Sequence, residues 1–259
     1  MEGSMEVCKE FFNLPAEEKE EYVSDEISYG KAWLYTGTVK YDAEKNQNWV
    51  DGLGHLCYPV EETINSWPNK PPRYREVIAE YAVGSKKLSQ MILELIAQGL
   101  GLEKGYFAGK LSDGHTLVVN HYPKCPDPSL TIGLKEHHDP TVLTTIQQNV
   151  CGLHLFVNGK WLAVDPLPNA IFVINGYQLE VISNGRLKSA LHRVVTNAEA
   201  DRTTISYFIN PGDGESVIEP AKAVLSDGNP PKFRAFTYSE FIKKKMEVDG
   251  ESALAAFRL

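Results

Sequence analysis

The sequence predicts a mixed, mainly β fold in which a helical first part feeds an all-β second part. Three observations predict it. Apolar residues recur at helical spacing from about Arg73 to Leu100. After Thr116 the chain breaks into short β-branched runs separated by Asn-Gly pairs and prolines, the cadence of a sandwich or barrel. No Gly/Ser linker divides the two parts, so one folded unit is expected.

Each element follows in order. Ser4 to Phe12 reads as helix. "LPAEEKEEY" places Pro15 at a helix start and follows it with acidic residues that suit the positive end of the helix dipole. Ser24 to Lys45 is polar, contains Gly30 and Gly37, and reads as irregular or hairpin-like. "NWVDGLGHLCYP" is a candidate strand, and "NSWPNKPP" is a loop because its prolines cannot sit inside a helix. The long helix carries Val77, Tyr81, Leu88, Ile92, Leu95 and Ile96 on one periodic stripe and ends among glycines. A short helix is expected between Leu102 and Leu111. The β-like runs are then "TLVVNHY", "TVLTTIQQ", "GLHLFV", "KWLAVDP", "AIFVIN", "EVISNG", "LHRVVT" and "TTISYFINP".

Composition narrows the function. With 42% hydrophobic and 23% charged residues over 259 positions, the chain is an ordinary globular one that can bury a large core without staples. A net charge of −8 argues against nucleic acid and against an anionic membrane surface. The basic run Lys243-Lys244-Lys245 reads as a solvated helix end. Cys8, Cys57, Cys125 and Cys151 form no CxxC pair, which suits a reducing compartment better than a disulfide framework. No apolar run approaches a membrane span, and the acidic start has no signal-peptide core. The expected location is cytoplasmic, with room for a nuclear pool.

The chemistry begins at "GLKEHHDP". Residues two apart on a strand share a face, so His137 and Asp139 project together while His138 points away. A third ligand is available in His192, 55 positions later at the start of another β-branched run. Two imidazoles and one carboxylate on one face of an octahedral ion leave the opposite face open, as in the facial triad of non-haem Fe(II) oxygenases. A zinc hydrolase is the competing reading, and a polar turn histidine is the bland one. Arg202 and Thr204 also share a strand face, and a guanidinium fork with a hydroxyl suits a carboxylate; a solvent-facing or structurally paired arginine is the alternative. Asn120 and Tyr122 in "NHYPKCP" form a third such pair, each with a hydrogen-bond donor.

Taken together, "EFFNLPAEEKEEY", "NHYPKCP", "GLKEHHDP", "SNGRLKSALHRVVTN" and "RTTISYFINP" resemble the plant 2-oxoglutarate- and Fe(II)-dependent dioxygenase family. The resemblance is to its specialised-metabolism branch, in which flavonoids, phenolic acids such as salicylate, or tropane alkaloids such as hyoscyamine are oxidised. It implies a double-stranded β-helix (jelly-roll) core with flanking α-helices. It divides the chain into a helical part at 1–115, a catalytic core at 116–215 and a C-terminal extension at 216–259. It also implies that the N-terminal part of the usual domain, with early strands of the main sheet, is missing, which would leave a sheet edge exposed.

Carried over position by position, the resemblance implies that His137, Asp139 and His192 hold Fe(II). Arg202 and Thr204 match the pair that grips the distal carboxylate of 2-oxoglutarate, with Thr204 standing where serine is usual. Asn120 and Tyr122 match residues near its keto-acid end, and Phe208 matches an aromatic that meets the organic substrate. Tyr35 and Trp49 are further candidates for a bulky hydrophobic substrate, and Asp51 or Glu136 for an amine. Tyr177 replaces a usual aspartate. The implied cofactors are Fe(II), 2-oxoglutarate and O2, with ascorbate as reductant; the implied reaction is hydroxylation of a small molecule with release of succinate and CO2. The rival is a metal-binding but inactive member acting as a scaffold.

Overall fold

In the computed structural model, residues 1–24, 31–39, 48–248 and 252–259 are described. The helices are α1 (Glu2–Phe12), α2 (Ala16–Lys19), α3 (Val60–Thr63), α4 (Tyr74–Leu100), α5 (Tyr177–Ile182), α6 (Tyr238–Glu247) and α7 (Ser252–Ala255). The strands are β1 (Trp33–Thr36), β2 (Asp51–Leu56), β3 (Gly114–Tyr122), β4 (Leu134–His137), β5 (Leu143–Gln148), β6 (Leu153–Val157), β7 (Lys160–Ala163), β8 (Phe172–Asn175), β9 (His192–Val194), β10 (Arg202–Asn210), β11 (Val217–Ile218) and β12 (Phe236–Thr237).

Alternation within the strands builds two antiparallel sheets. The major sheet runs β1-β2-β3-β10-β5-β8 and the minor sheet β4-β9-β6-β7, with β11 and β12 pairing apart. In β3 and β10, Leu117, Val119, Ile205 and Tyr207 point to one side, where they join Phe11, Ile78, Leu93 and Phe241 in the main core. The intervening residues point the other way, into the space between the sheets. A smaller cluster of Val50, Tyr122, Ile146, Leu153, Ile174 and Val194 fills part of that space. The jelly roll is thus a sandwich with helices covering one outer face.

The long helix forms where its periodicity placed it and ends at Gly101, whose φ of 72° turns its N–H back to Ala97 and Gln98. Its buried stripe lies beside the expected one: Tyr74, Ile78, Ala82, Ser85, Ser89, Leu93 and Ala97 face inward, and Leu95 is exposed. Small residues at the contact let the helix backbone approach the sheet, which outweighs the larger apolar side chains on the neighbouring stripe. Of the stretch before Lys45, the described part holds the single strand β1, which pairs antiparallel with β2, the strand expected in "NWVDGLGHLCYP". Gly30 and the rest of 25–30, with 40–47, lie outside the described residues. Leu102 to Leu111 is turns and a single 3₁₀ turn at Gly109–Leu111 rather than helix.

One segment differs in kind. "EVISNG" reads as strand, but Tyr177–Ile182 is the helix α5. All six of its residues are buried, so it has no solvent face and leaves no periodicity to read. Asn184 and Gly185, at φ 51° and 77°, end this helix, whereas Asn158 and Gly159, at φ 51° and 78°, turn the β6–β7 hairpin.

Candidate active site

The sequence brings the three candidate ligands together from two elements of the minor sheet. His137 ends β4 and pairs across the sheet with His192, the first residue of β9. Asp139 lies just past the end of β4, not on the strand, and still turns its carboxylate to the same point. The backbone of this turn is fixed by α5: the Tyr177 N–H donates to the Asp139 carbonyl at 2.9 Å and the Gln178 N–H to the Thr141 carbonyl at 3.1 Å. Gly176 makes this docking possible, since a Cβ there would stand 2.0 Å from the Thr141 carbonyl oxygen.

Asp139 Oδ1 lies 3.6 Å from His137 Nε2 and 3.8 Å from His192 Nε2. All three donor atoms fall within 4.8 Å of one another. Donors held about 2.1 Å from a shared ion and at right angles to one another stand about 3.0 Å apart, so the three must draw inward toward the centre to seat one divalent cation. The outward nitrogens are already committed. His137 Nδ1–H donates to the Lys135 carbonyl at 2.7 Å and His192 Nδ1–H to the Ala190 carbonyl at 3.0 Å. These bonds fix the tautomer and leave both Nε2 lone pairs facing inward. The Thr144 hydroxyl donates to Asp139 Oδ2 at 2.7 Å, leaving Oδ1 to the centre.

Desolvation in the cavity, reinforced by the neighbouring His192, pushes the His137 imidazole down to about 4. A neutral imidazole cannot donate from Nε2 in this tautomer. Two inward lone pairs and a buried carboxylate therefore converge on one point, an arrangement that calls for a cation. His138 faces the opposite way, stacked on Tyr177 at 4.7 Å with Nδ1 3.2 Å from Ser189 Oγ.

The major sheet supplies the other wall. Arg202 stands opposite Tyr122, and Thr204 opposite Asn120, in the β10–β3 register. All four line the cavity that contains the triad, and so do Ser206 and Phe208 on the same face of β10. Arg202 is only 2% exposed. Its Nε donates to the Val150 carbonyl at 3.1 Å and its Nη2 to Gln148 Oε1 at 2.9 Å, while Nη1 is buried with no hydrogen-bond partner among the described residues. Burial lowers its affinity for the proton only in part, since the Tyr122 phenol opposes the shift, and the guanidinium remains a cation. A buried cation with one free donor beside a hydroxyl fits a carboxylate.

Not every candidate lines this cavity. Tyr35 packs against the smaller apolar cluster beside it. Trp49 is tied to two loops, donating Nε1–H to the Pro123 carbonyl at 3.0 Å and its backbone N–H to the Ile132 carbonyl at 2.7 Å. Asp51 accepts from both the N–H and the hydroxyl of Thr38. Sequence reasoning missed Thr144, Gln148 and Ser206; only Ser206 carries a signal, the alternation that extends Arg202 and Thr204 along β10. It also missed the apolar lining of Leu134, Ile146, Leu153 and Val194.

Comparison with known proteins identifies the family. Residues 114–211 match the model of the 2OG-Fe(II) oxygenase superfamily, and residues 1–72 match that of the non-haem dioxygenase in morphine synthesis N-terminal region. The chain is 43% identical over 248 residues to hyoscyamine 6-dioxygenase of Hyoscyamus niger, covering 92% of this chain and 72% of that protein. It is 38% identical to flavanone 3-dioxygenase 2 of Oryza sativa subsp. japonica, covering 98% and 75%. The crystal structure of JOX2 in complex with 2OG, Fe and JA superposes with a TM-score of 0.86 at 30% identity, covering all of this chain and 78% of that one. The chain belongs to the 2OG-Fe(II) oxygenase superfamily and is an oxygenase whose cofactors are Fe(II), 2-oxoglutarate and O2.

Proposed function

We propose that His137, Asp139 and His192 hold the Fe(II), that Arg202 and Thr204 bind the distal carboxylate of 2-oxoglutarate, and that Asn120 and Tyr122 flank the cosubstrate. The organic substrate then meets Phe208. The reaction is oxidation, in its simplest form hydroxylation, of a small plant specialised metabolite such as a flavonoid, a phenolic acid or an alkaloid, with release of succinate and CO2. The named activities of the hyoscyamine and flavanone dioxygenases support this substrate range. Ascorbate serves as reductant. No helix among the described residues is long and apolar enough to cross a membrane, and the proposed site of action is the cytoplasm.

One observation carries the reading. Three metal donors and a buried guanidinium with a free N–H face the same cavity from opposite sheets. When bound, the iron supplies O2 activation and oxidation of a C–H bond, with 2-oxoglutarate as the two-electron reductant. The chain's own part is positional. Lys135 and Ala190 carbonyls hold both imidazoles as inward-facing ligands, and Thr144 aims the carboxylate. Arg202, braced by Val150 and Gln148, fixes the far end of the dicarboxylate. Leu134, Ile146, Leu153 and Val194 exclude water around the reacting centre.

The test is aerobic incubation with Fe(II), 2-oxoglutarate, ascorbate and a plant metabolite library, read by mass spectrometry. Gain of one oxygen in a library member, with matching succinate, is expected. Iron-loaded protein that releases no succinate with any member would contradict the proposal.

A further inference from the structure

Both ligand-bearing arms of the metal site rest on the helix α5. One arm is the end of β4 and the turn after it, which carry His137 and Asp139; the other is the segment that leads into β9 and carries His192. Besides its backbone bond to Asp139, Tyr177 of α5 stacks on His138, the residue between the two ligands of the first arm. The ring centroids are 4.7 Å apart and the planes meet at 24°. The same Tyr177 ring meets Phe241 of α6 edge-on at 5.7 Å, so the turn is backed by packed aromatic rings.

Glu180, further along α5, reaches the second arm. Its Oε2 accepts the N–H of Ser189 at 2.9 Å, three residues before His192. Its Oε1 accepts from Lys188 Nζ at 3.0 Å, and Arg258 Nη2 stands 3.7 Å away. Glu180 is 4% exposed and does not line the cavity that holds the triad. A buried carboxylate is unfavourable unless it is paired and hydrogen-bonded, and the amide and the two cations supply those partners. Ser189 closes the frame. Its N–H is held by Glu180, and its hydroxyl oxygen lies 3.2 Å from His138 Nδ1. One residue of the His192 arm is therefore tied both to α5 and to the arm that carries His137 and Asp139.

We infer that Glu180 is a positioning residue of the metal site: through Ser189, itself tied to His138, it sets where the His192 arm stands against the His137–Asp139 turn. This rests on the proposed ligation of iron by these three residues. The route is short. His192 Nδ1–H donates to the carbonyl of Ala190 at 3.0 Å, and Ala190 follows Ser189 directly. A shift of Ser189 thus carries the imidazole with it. Burial of Glu180, Ser189 and His138 keeps water from replacing these bonds.

The test titrates Co(II) into the apoprotein without oxygen and reads both the affinity and the visible spectrum of the bound ion, which reports ligand geometry. The parent is expected to bind one ion, and His137→Ala to lose it. Glu180→Leu is expected to weaken binding about 10- to 100-fold and to alter the spectrum, as for other lost ligand-orienting contacts. Glu180→Gln keeps an acceptor for the Ser189 N–H and should recover most of the affinity and the parent spectrum. Ser189→Ala and His138→Phe cut the tie between the arms from its two ends. Each should weaken binding by about tenfold, and the double variant should be no weaker than either alone. Leu93→Ala, which opens a space in the main core, controls for general destabilisation: its urea midpoint should fall while affinity and spectrum stay those of the parent. Parent-like affinity and spectrum in Glu180→Leu, equal weakening in Leu93→Ala, or additive losses in the double variant would each overturn the proposal. Should Glu180→Leu fail to fold, parent-like binding by Ser189→Ala overturns it alone. A parent that binds no Co(II) through His137 would instead defeat the metal site itself, and the positioning role with it.

Discussion

The Arg202 guanidinium lies 5.0 Å over the ring of Tyr122, its partner across the β10–β3 pair. The two side chains share the cavity face. Gly152 lies against the same side chain: a Cβ there would stand 2.7 Å from Arg202 Cδ and 3.0 Å from Nε. Gly152→Ala must therefore shift the guanidinium. A charge-assisted hydrogen bond contributes about 1.5–3 kcal/mol, so the KM for 2-oxoglutarate should rise roughly ten- to a hundredfold. Metal affinity in the same variant should stay near that of the parent.

Arg202→Lys keeps the charge and loses the fork. Lysine carries its three donors on one nitrogen, so it cannot reproduce the separate Nε and Nη2 contacts to Val150 and Gln148 with a third donor aimed into the cavity. The KM for 2-oxoglutarate should again rise about tenfold or more. An unchanged KM would remove Arg202 from the proposed clamp.

Thr144 touches no metal but holds Asp139 Oδ2 at 2.7 Å. Thr144→Val preserves the shape and deletes that bond. Loss of such an orienting bond lowers metal affinity by about 10- to 100-fold. Competition titration of Mn(II) against a chelator reads this without catalysis, and Thr144→Ser should recover most of the affinity.

Acid stability should depend on His55. It is fully buried, stacks on Trp67 at 4.6 Å, and has Nε2 3.2 Å from the Tyr74 hydroxyl. Burial pushes its imidazole down to about 3. In the unfolded chain it titrates near 6.5, so between these values the unfolded state binds a proton that the folded state refuses. Its stability contribution is complete above about pH 6.5 and falls by up to about 1.4 kcal/mol for each unit below. His115, pushed down to about 4 by burial and then by Lys86, adds in the same direction. Urea midpoints measured from about pH 7 down to 4.5 should fall less steeply in His55→Phe than in the parent, by close to one proton.

The site was legible in the sequence where its geometry is local. His137 and Asp139 are neighbours along the chain, and the alternation of Arg202, Thr204 and Phe208 along β10 needs only the two-residue period of a strand. His192 became legible by its β-branched setting and the spacing of the resemblance, since pairing with β4 cannot be read from residues 55 positions apart. The supports were not legible. Thr144, Gln148 and Val150 look like any strand-end residues until the sheets close and set them beside Asp139 and Arg202. Helix α5 reads as strand in the sequence because burial on every side removes the amphipathic signal.

Anaerobic titration with Fe(II), followed by calorimetry, tests the triad most directly. The parent should bind one ion per chain, and His137→Ala, Asp139→Ala and His192→Ala should each abolish that binding at the same concentrations while remaining folded by circular dichroism. Any of the three variants binding Fe(II) as tightly as the parent would contradict the assignment of these residues as the iron ligands.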